Sequence, residues 1–213
     1  MEFADVVRTR RMVRAYQSGR GVPDAVLDRL LQNALHAPSA GFSQGWDFVV
    51  LRRREDLERF WEASTDPQDE PDGWLRGMRS APVLIVCLSD PQRYLARYAE
   101  PDKGWTDRDE ARWPVPYWDV DTGMAALLVL LTAVDAGLGA CFFGVPPERR
   151  EHVLAALGAP ADRRIVGVVS VGHAAPDRRS PSLRRGRRPV DEVAHDGRFG
   201  VPWRLRGRAS PVR

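Results

Sequence analysis

Cysteine, lysine and histidine are scarce in this chain of 213 residues, and each shortage removes a class of chemistry. The two cysteines, Cys87 and Cys141, sit inside apolar runs. There they read as small buried hydrophobes, not as a disulfide or a reactive pair, and they fit a reducing cytoplasm. The four histidines, His36, His152, His173 and His195, are scattered with no HxxxH or HxxE pairing, so no metal site is expected. No GxGxxG occurs: Gly137 and Gly139 share its spacing, but Phe142 takes the third glycine position. No GxxxxGK[ST] phosphate loop is present, and Ser39 and Ser43 stand in no nucleophile-elbow pattern. Internal repeats are lacking. The N-terminal MEFADVVRTRR has no apolar core, so no secretory signal is expected. No wholly apolar run reaches the ~20 residues that span a bilayer, and no membrane partner is expected.

What is present suits a globular domain. With 43% hydrophobic and 29% charged residues, the chain can bury a sizeable core as one domain over 1–213. The net charge is +3 and the positive charge is mostly arginine. It clusters at 8–14, 52–54, 76–79 and 178–188 and in the last eleven residues. Such clusters suit phosphate, on a cofactor or on nucleic acid. Few aromatics interleave with them, which argues against nucleic acid.

The chain is organised around Tyr117–Gly144. From Met124 to Val134 every residue but Thr132 is apolar, so the spacing predicts a helix apolar all round, buried in a core or at a dimer interface. Asp119 reads as its cap, and Gly137 and Gly139 as its stop. Ala140–Phe143 reads as a buried strand closed by Gly144, a bare backbone that a flat ligand can approach. Other strands are expected at Trp46–Leu51, Pro82–Leu88 and Ile165–Val171. Helices are expected at Phe3–Arg8, Asp24–His36, Glu55–Ala63, Trp74–Ser80 and Pro146–Leu157, with one turn at Val190–His195. Asp90–Pro116 is long for a connection and reads as a lid-like insertion, 90–118. Its aromatics either stack on a flat substrate or pack the segment onto its own domain. Residues 174–213 read as an arm whose Phe199, Val201 and Trp203 need another surface to bury them. Alternation of strands and helices gives a layered α/β or α+β sandwich.

Four separated pieces carry the chemistry: Arg10–Tyr16, the PSxxxSQxW loop of Ala37–Trp46, the Gly-bounded strand end at Phe143–Gly144, and the RRGRRP cluster of Arg184–Pro189. In this order they resemble the nitroreductase family of FMN-dependent oxidoreductases, over nearly the whole chain. The resemblance implies an α+β three-layer sandwich with a mostly antiparallel central sheet flanked by helices. It also implies a domain-swapped homodimer with FMN at the interface and a C-terminal arm around the partner. Arg10, Arg11, Met12 and Arg14 match FMN-binding positions, Arg10 toward the phosphate and Arg14 toward the N1/O2 side of the ring. Arg185 and Arg187 match a late basic pair that closes on the phosphate, with Arg188 able to replace either. Pro38, Ser39, Ala40 and Gln44 match a loop lying on the ring from the other subunit. Phe143 and Gly144 match the strand end facing flavin N5, and Arg76 a second cation near O2. Phe42, Trp105, Trp113 and Tyr117 stand as substrate contacts. The chain departs from the family pattern at Met12, Phe42 and Gly45. The implied reaction is ping-pong transfer from NADH or NADPH through the flavin to a nitroaromatic, a quinone or a similar flat molecule. Dehalogenation, dehydrogenation, flavin breakdown and non-catalytic flavin binding are the alternatives on the same fold.

Overall fold

The computed structural model describes residues 1–68, 70–176 and 180–204. The chain divides into two units, Met1–Asp177 and Arg178–Arg213. Within the first unit, four strands form one sheet: β1 (Trp46–Leu51), β2 (Val83–Ser89), β3 (Gly139–Phe143) and β4 (Arg164–Gly172). Their order is β1-β2-β4-β3, with every neighbouring pair antiparallel. Seven consecutive residues of β2 are buried, as a central strand covered on both faces requires.

The alternation of side chains along the strands builds two cores. Leu84, Val86, Leu88 and Val168 face α3 (Arg54–Ser64), α4 (Gly73–Arg79) and α7 (Arg150–Ala156), where Phe60, Trp61, Met78 and Val153 pack. Val83, Ile85, Val169 and Val171 share the opposite core with Leu30 of α2 (Asp24–Ala34) and Val129 of α6 (Tyr117–Asp135). The result is the expected three layers. A short α1 (Phe3–Thr9) precedes them. Cys87 belongs to one core and Cys141 to the other, so the sheet itself separates the two free thiols. Burial pushes the Cys87 thiol up to about 12, which keeps it protonated and inert.

The long helix departs from expectation in four ways. First, Asp119 is not its cap: Pro116 holds that position, and Asp119 in the first turn accepts a hydrogen bond from Ser89 Oγ at 2.5 Å. Second, the helix is not buried on every side. Ala125, Ala126, Val129 and Ala133 face the sheet, whereas Tyr117, Val120, Met124 and Leu127 are exposed. Their spacing of three, four and three residues makes one apolar stripe. Third, with nineteen residues the helix is long and apolar enough to cross a membrane, more than the apolar run alone implied; half of its most apolar window is buried against the rest of the unit. Gly139 does not end the helix either; it opens β3, and Gly137 makes the turn.

The segment read as a lid contains a further helix, α5 (Pro91–Tyr98), opened by Asp90, whose carboxylate accepts from Gln92 N–H. Arg163 ties this end of the sheet together. Its guanidinium meets Asp47 at 2.9 Å, Asp90 at 2.9 Å and Asp162 at 3.1 Å. In the second unit, α8 (Val190–Val193) is the expected turn, and Phe199, Val201 and Trp203 are exposed. Positions 177–179 and 205–213 of the expected arm lie outside the described residues.

Two outcomes follow. Arg163→Leu leaves the buried Asp90 carboxylate with only the longer contact to Arg93 and should lower unfolding stability by about 2 kcal/mol in urea titration. Native protein should react with a thiol reagent at neither cysteine until it unfolds, whereupon both should react.

Candidate functional site

The first unit gathers three of the four pieces at two places. Residues 10–17 lie along the open edge of β3. Met12 pairs in parallel with Ala140, and Val13 N–H donates to Ala140 O at 2.9 Å. Beyond β3 the segment continues onto the strand end after β4, where Gln17 N–H donates to His173 O at 2.8 Å and Ala175 N–H to Ala15 O at 3.0 Å. Tyr16 anchors it from inside: its hydroxyl lies 2.7 Å from Ser170 Oγ and 2.8 Å from Val13 O, and its N–H donates to Ser80 Oγ. The basic stretch is thereby held by backbone pairing and by two buried side chains, Val13 and Tyr16.

The arginines of this segment differ in setting. Arg11 is exposed, whereas Arg10 and Arg14 are half-buried. Arg10 Nη1 is buried and has no hydrogen-bond partner among the described residues. A buried guanidinium nitrogen without an acceptor costs free energy, and such atoms are rare unless something else completes them. A bound anion meets that need. Met12 turns its sulfur onto the strand, where it accepts from Phe142 N–H at 3.4 Å.

Helix α4 closes against the same segment. A Cβ on Gly77 would lie 2.2 Å from Arg14 O, so this helix reaches the Arg14 backbone only because the position is glycine. Arg76, one residue earlier, is exposed and donates to Pro71 O. Trp74 stands edge-on to Phe143 with ring centroids 5.7 Å apart, and Phe143 stacks on Trp61 at 5.7 Å. Gly144 then leaves the strand into open space: a Cβ there would meet nothing within 4 Å. It lines a cleft of about 450 Å³ with Trp61, Trp74, Phe143 and Val145. The Arg10–Arg14 segment, α4 and the Phe143–Gly144 strand end thus come together.

The Ala37–Gly45 loop stands elsewhere. It precedes β1, at the opposite edge of the sheet from β3, three strand spacings or roughly 14 Å away. Ser39 Oγ accepts from Gln44 N–H at 3.0 Å, and Ala40 N–H donates to Asp121 at 2.8 Å. Pro38 is exposed, Phe42 is 77% exposed, and Gln44 is half-buried.

The four substrate candidates divide. Trp105 and Trp113 pack on each other at 5.5 Å and on Tyr98 at 5.1 and 4.6 Å. Trp113 also meets Trp118 at 5.8 Å, so this segment packs on its own domain, the second of the two roles open to it. Tyr117 and Phe42 remain exposed. In the second unit, Arg188 bonds Glu192 at 3.4 Å, whereas Arg185 and Arg187 are exposed and make no ion pair among the described residues.

Composition and spacing alone missed the residues that hold these pieces in place, Tyr16, Tyr94 and Asp121. Asp121 carried a signal: a carboxylate immediately before an apolar helix run is costly unless it has a partner.

Comparison with known proteins bears on the family and the fold. A model of the nitroreductase family matches residues 7–173. A relative from Archaeoglobus fulgidus, named an NADH dehydrogenase/NAD(P)H nitroreductase, is 33% identical over 174 residues, covering 81% of this chain and 85% of that protein. Iodotyrosine deiodinase 1 of Homo sapiens is 23% identical over 211 residues, covering 90% of this chain and 67% of that protein. Among solved structures, a nitroreductase family protein from Clostridium difficile 630 superposes with a TM-score of 0.70 at 19% identity, over 93% of this chain and all of that one. The fold, the matched span and the identity to these relatives establish that the chain belongs to the nitroreductase family and is an oxidoreductase of that family.

Proposed function

We propose that the chain is an FMN-dependent oxidoreductase, working as a homodimer, that passes reducing equivalents from NADH or NADPH to a flat acceptor such as a nitroaromatic or a quinone. The observation that carries the reading is the buried Arg10 Nη1, unpartnered among the described residues, on a segment bound to the strand that leads into Gly144. The chemistry that FMN supplies when bound is hydride acceptance and donation at ring N5, with the donor and the acceptor using the same ring face in turn.

The chain's own residues then have binding and electrostatic tasks. Arg10 binds the phosphate through paired, charge-assisted hydrogen bonds, and by the family resemblance Arg185 and Arg187 are assigned to the phosphate as well. Arg185 and Arg187, which make no ion pair among the described residues, suit this better than Arg188, which is engaged by Glu192. Arg11 adds to the positive field, and Met12 packs beneath. Arg14 and Arg76 place positive charge toward the N1/O2 side, where the reduced ring is negative, and so favour reduction. Phe143 and Gly144 offer backbone to the N5 side. No side-chain acid or base is needed, in keeping with the scattered histidines.

Two features support a dimer. The sheet holds the Pro38–Gln44 loop roughly 14 Å from β3, so a site that uses both draws them from two copies. The exposed stripe of Tyr117, Val120, Met124 and Leu127 on α6 is the apolar face that a second copy would cover. The names of relatives support a nicotinamide donor. Another relative, an FMN-dependent nitroreductase from Clostridium difficile R20291, matches in fold with a TM-score of 0.65.

Purified protein should be yellow and should bleach with anaerobic NADH or NADPH. Recolouring by nitrofurazone or menadione supports the reading; recolouring only by a halotyrosine would move the reaction to dehalogenation. Arg10→Ala together with Arg187→Ala should lower FMN affinity roughly 10²–10⁴-fold, since each removes a charged hydrogen bond worth ~1.5–3 kcal/mol. Unchanged affinity in that variant would refute the phosphate assignment. Leu127→Glu should turn a dimer into a monomer in analytical ultracentrifugation and take FMN binding with it.

A further inference from the structure

Helix α5 lies in the segment read from sequence as a lid, yet three of its side chains meet the Ala37–Gly45 loop. Arg97 Nε donates to Gly41 O at 3.0 Å. A Cβ on Gly41 would fall 2.7 Å from the Tyr98 ring, so that ring lies directly on the loop backbone. A Cβ on Gly45 would fall 2.4 Å from the Tyr94 ring. The glycine at 45, a departure from the family pattern, is thus the space that Tyr94 fills.

From there the Tyr94 hydroxyl reaches Asp121 Oδ2 at 2.8 Å, and the same oxygen accepts Ala40 N–H at 2.8 Å. Both side chains are buried: Tyr94 is 0% exposed and Asp121 2%. Burial, with the adjoining carboxylate, pushes the Tyr94 hydroxyl well above the ordinary phenol range, so it remains a donor.

The loop under this clamp is strained. Gly41, Phe42 and Gln44 have φ of +60°, +57° and +48°, and two of them carry side chains that disfavour the left-handed region. The strain places Phe42 at the tip, where it is exposed. A strained loop keeps its shape only when its surroundings over-determine it. Here they do so through one carboxylate oxygen, two tyrosines and one arginine.

We infer that Asp121 is a positioning residue: bridging Tyr94 and Ala40, it holds the Pro38–Gln44 loop in the strained form that presents Ser39, Ala40 and Phe42 to the site of a second copy. The inference rests on the flavin reading above. It makes α5 a clamp for the cofactor loop and Phe42 a determinant of which flat acceptors the site takes.

The test compares wild type with Asp121→Ala, Asp121→Asn, Tyr94→Phe and Gly45→Ala. Amide hydrogen exchange over residues 39–45, which needs no flavin, should speed up about tenfold in Asp121→Ala and Tyr94→Phe, as loss of a local restraint does. Asp121→Asn, which keeps one acceptor oxygen, should fall between them and wild type. FMN affinity, read by quenching of flavin fluorescence, should drop about tenfold in the same order, the effect of one hydrogen bond. The KM for menadione should rise more than kcat falls. Should Asp121→Ala fail to fold, Tyr94→Phe and Gly45→Ala test the same clamp with the carboxylate intact. Unchanged exchange in folded Tyr94→Phe and Asp121→Asn overturns the inference. So does faster exchange with FMN affinity and KM unmoved, which would reduce Asp121 to a purely structural role. Wild-type protein that takes up no FMN overturns the flavin reading itself, and the exchange data keep that failure separate from failure of the clamp.

Discussion

The backbone pairing of residues 12–13 with Ala140 is the interaction on which the proposed site depends. It turns the free edge of β3 into a support for a basic segment that has no core of its own. The pairing occupies an edge that would otherwise invite other strands. It also puts three arginines beside the strand whose far end is the bare Gly144. Buried Tyr16 fixes the segment where the strand stops. The Arg10 nitrogen follows from this placement: Nη1 is carried inward and finds no partner among the described residues.

The sheet order imposes the second constraint. Putting β2 and β4 between β1 and β3 gives a core buried on both faces, and it also separates the Pro38–Gln44 loop from the arginines. In the proposed dimer this separation is the reason the cofactor sits between copies. The exposed stripe on α6 belongs to the same logic. A helix apolar on nearly every side has one face on the sheet and a second that a single copy leaves to water.

Much of this was legible in the sequence. Continuous apolar runs located the four strands of the described residues, and a 3.6-residue period located most helices, because these elements bury their apolar side chains. The arginine segment, the Ala37–Gly45 loop and the strand end were visible as unusual composition at fixed order. The rest was hidden for physical reasons. Asp119 looked like a cap, but Pro116 starts the helix earlier and Ser89 claims the carboxylate. The all-round apolarity of Met124–Val134 did not say which side a single copy leaves open. Helix α5 was missed because its apolar positions are Tyr94, Leu95 and Tyr98 among arginines, and its partners, Gly41, Gly45 and Asp121, are distant in sequence. The glycine at 45 gained its meaning only with the Tyr94 ring in view.

The central claim, that each flavin site is completed by two copies, is tested most directly by subunit complementation. Arg10→Ala disables the phosphate side, and Ala40→Trp blocks the loop side. Each variant alone should bind FMN poorly. Refolded together in equal amounts, they form heterodimers in which one site receives both defects and the other neither. The account predicts recovery of about a quarter of wild-type FMN-binding capacity, the statistical share of intact sites in such a mixture. A mixture that binds no more FMN than the two variants measured separately would contradict it, and would place the whole site within one chain.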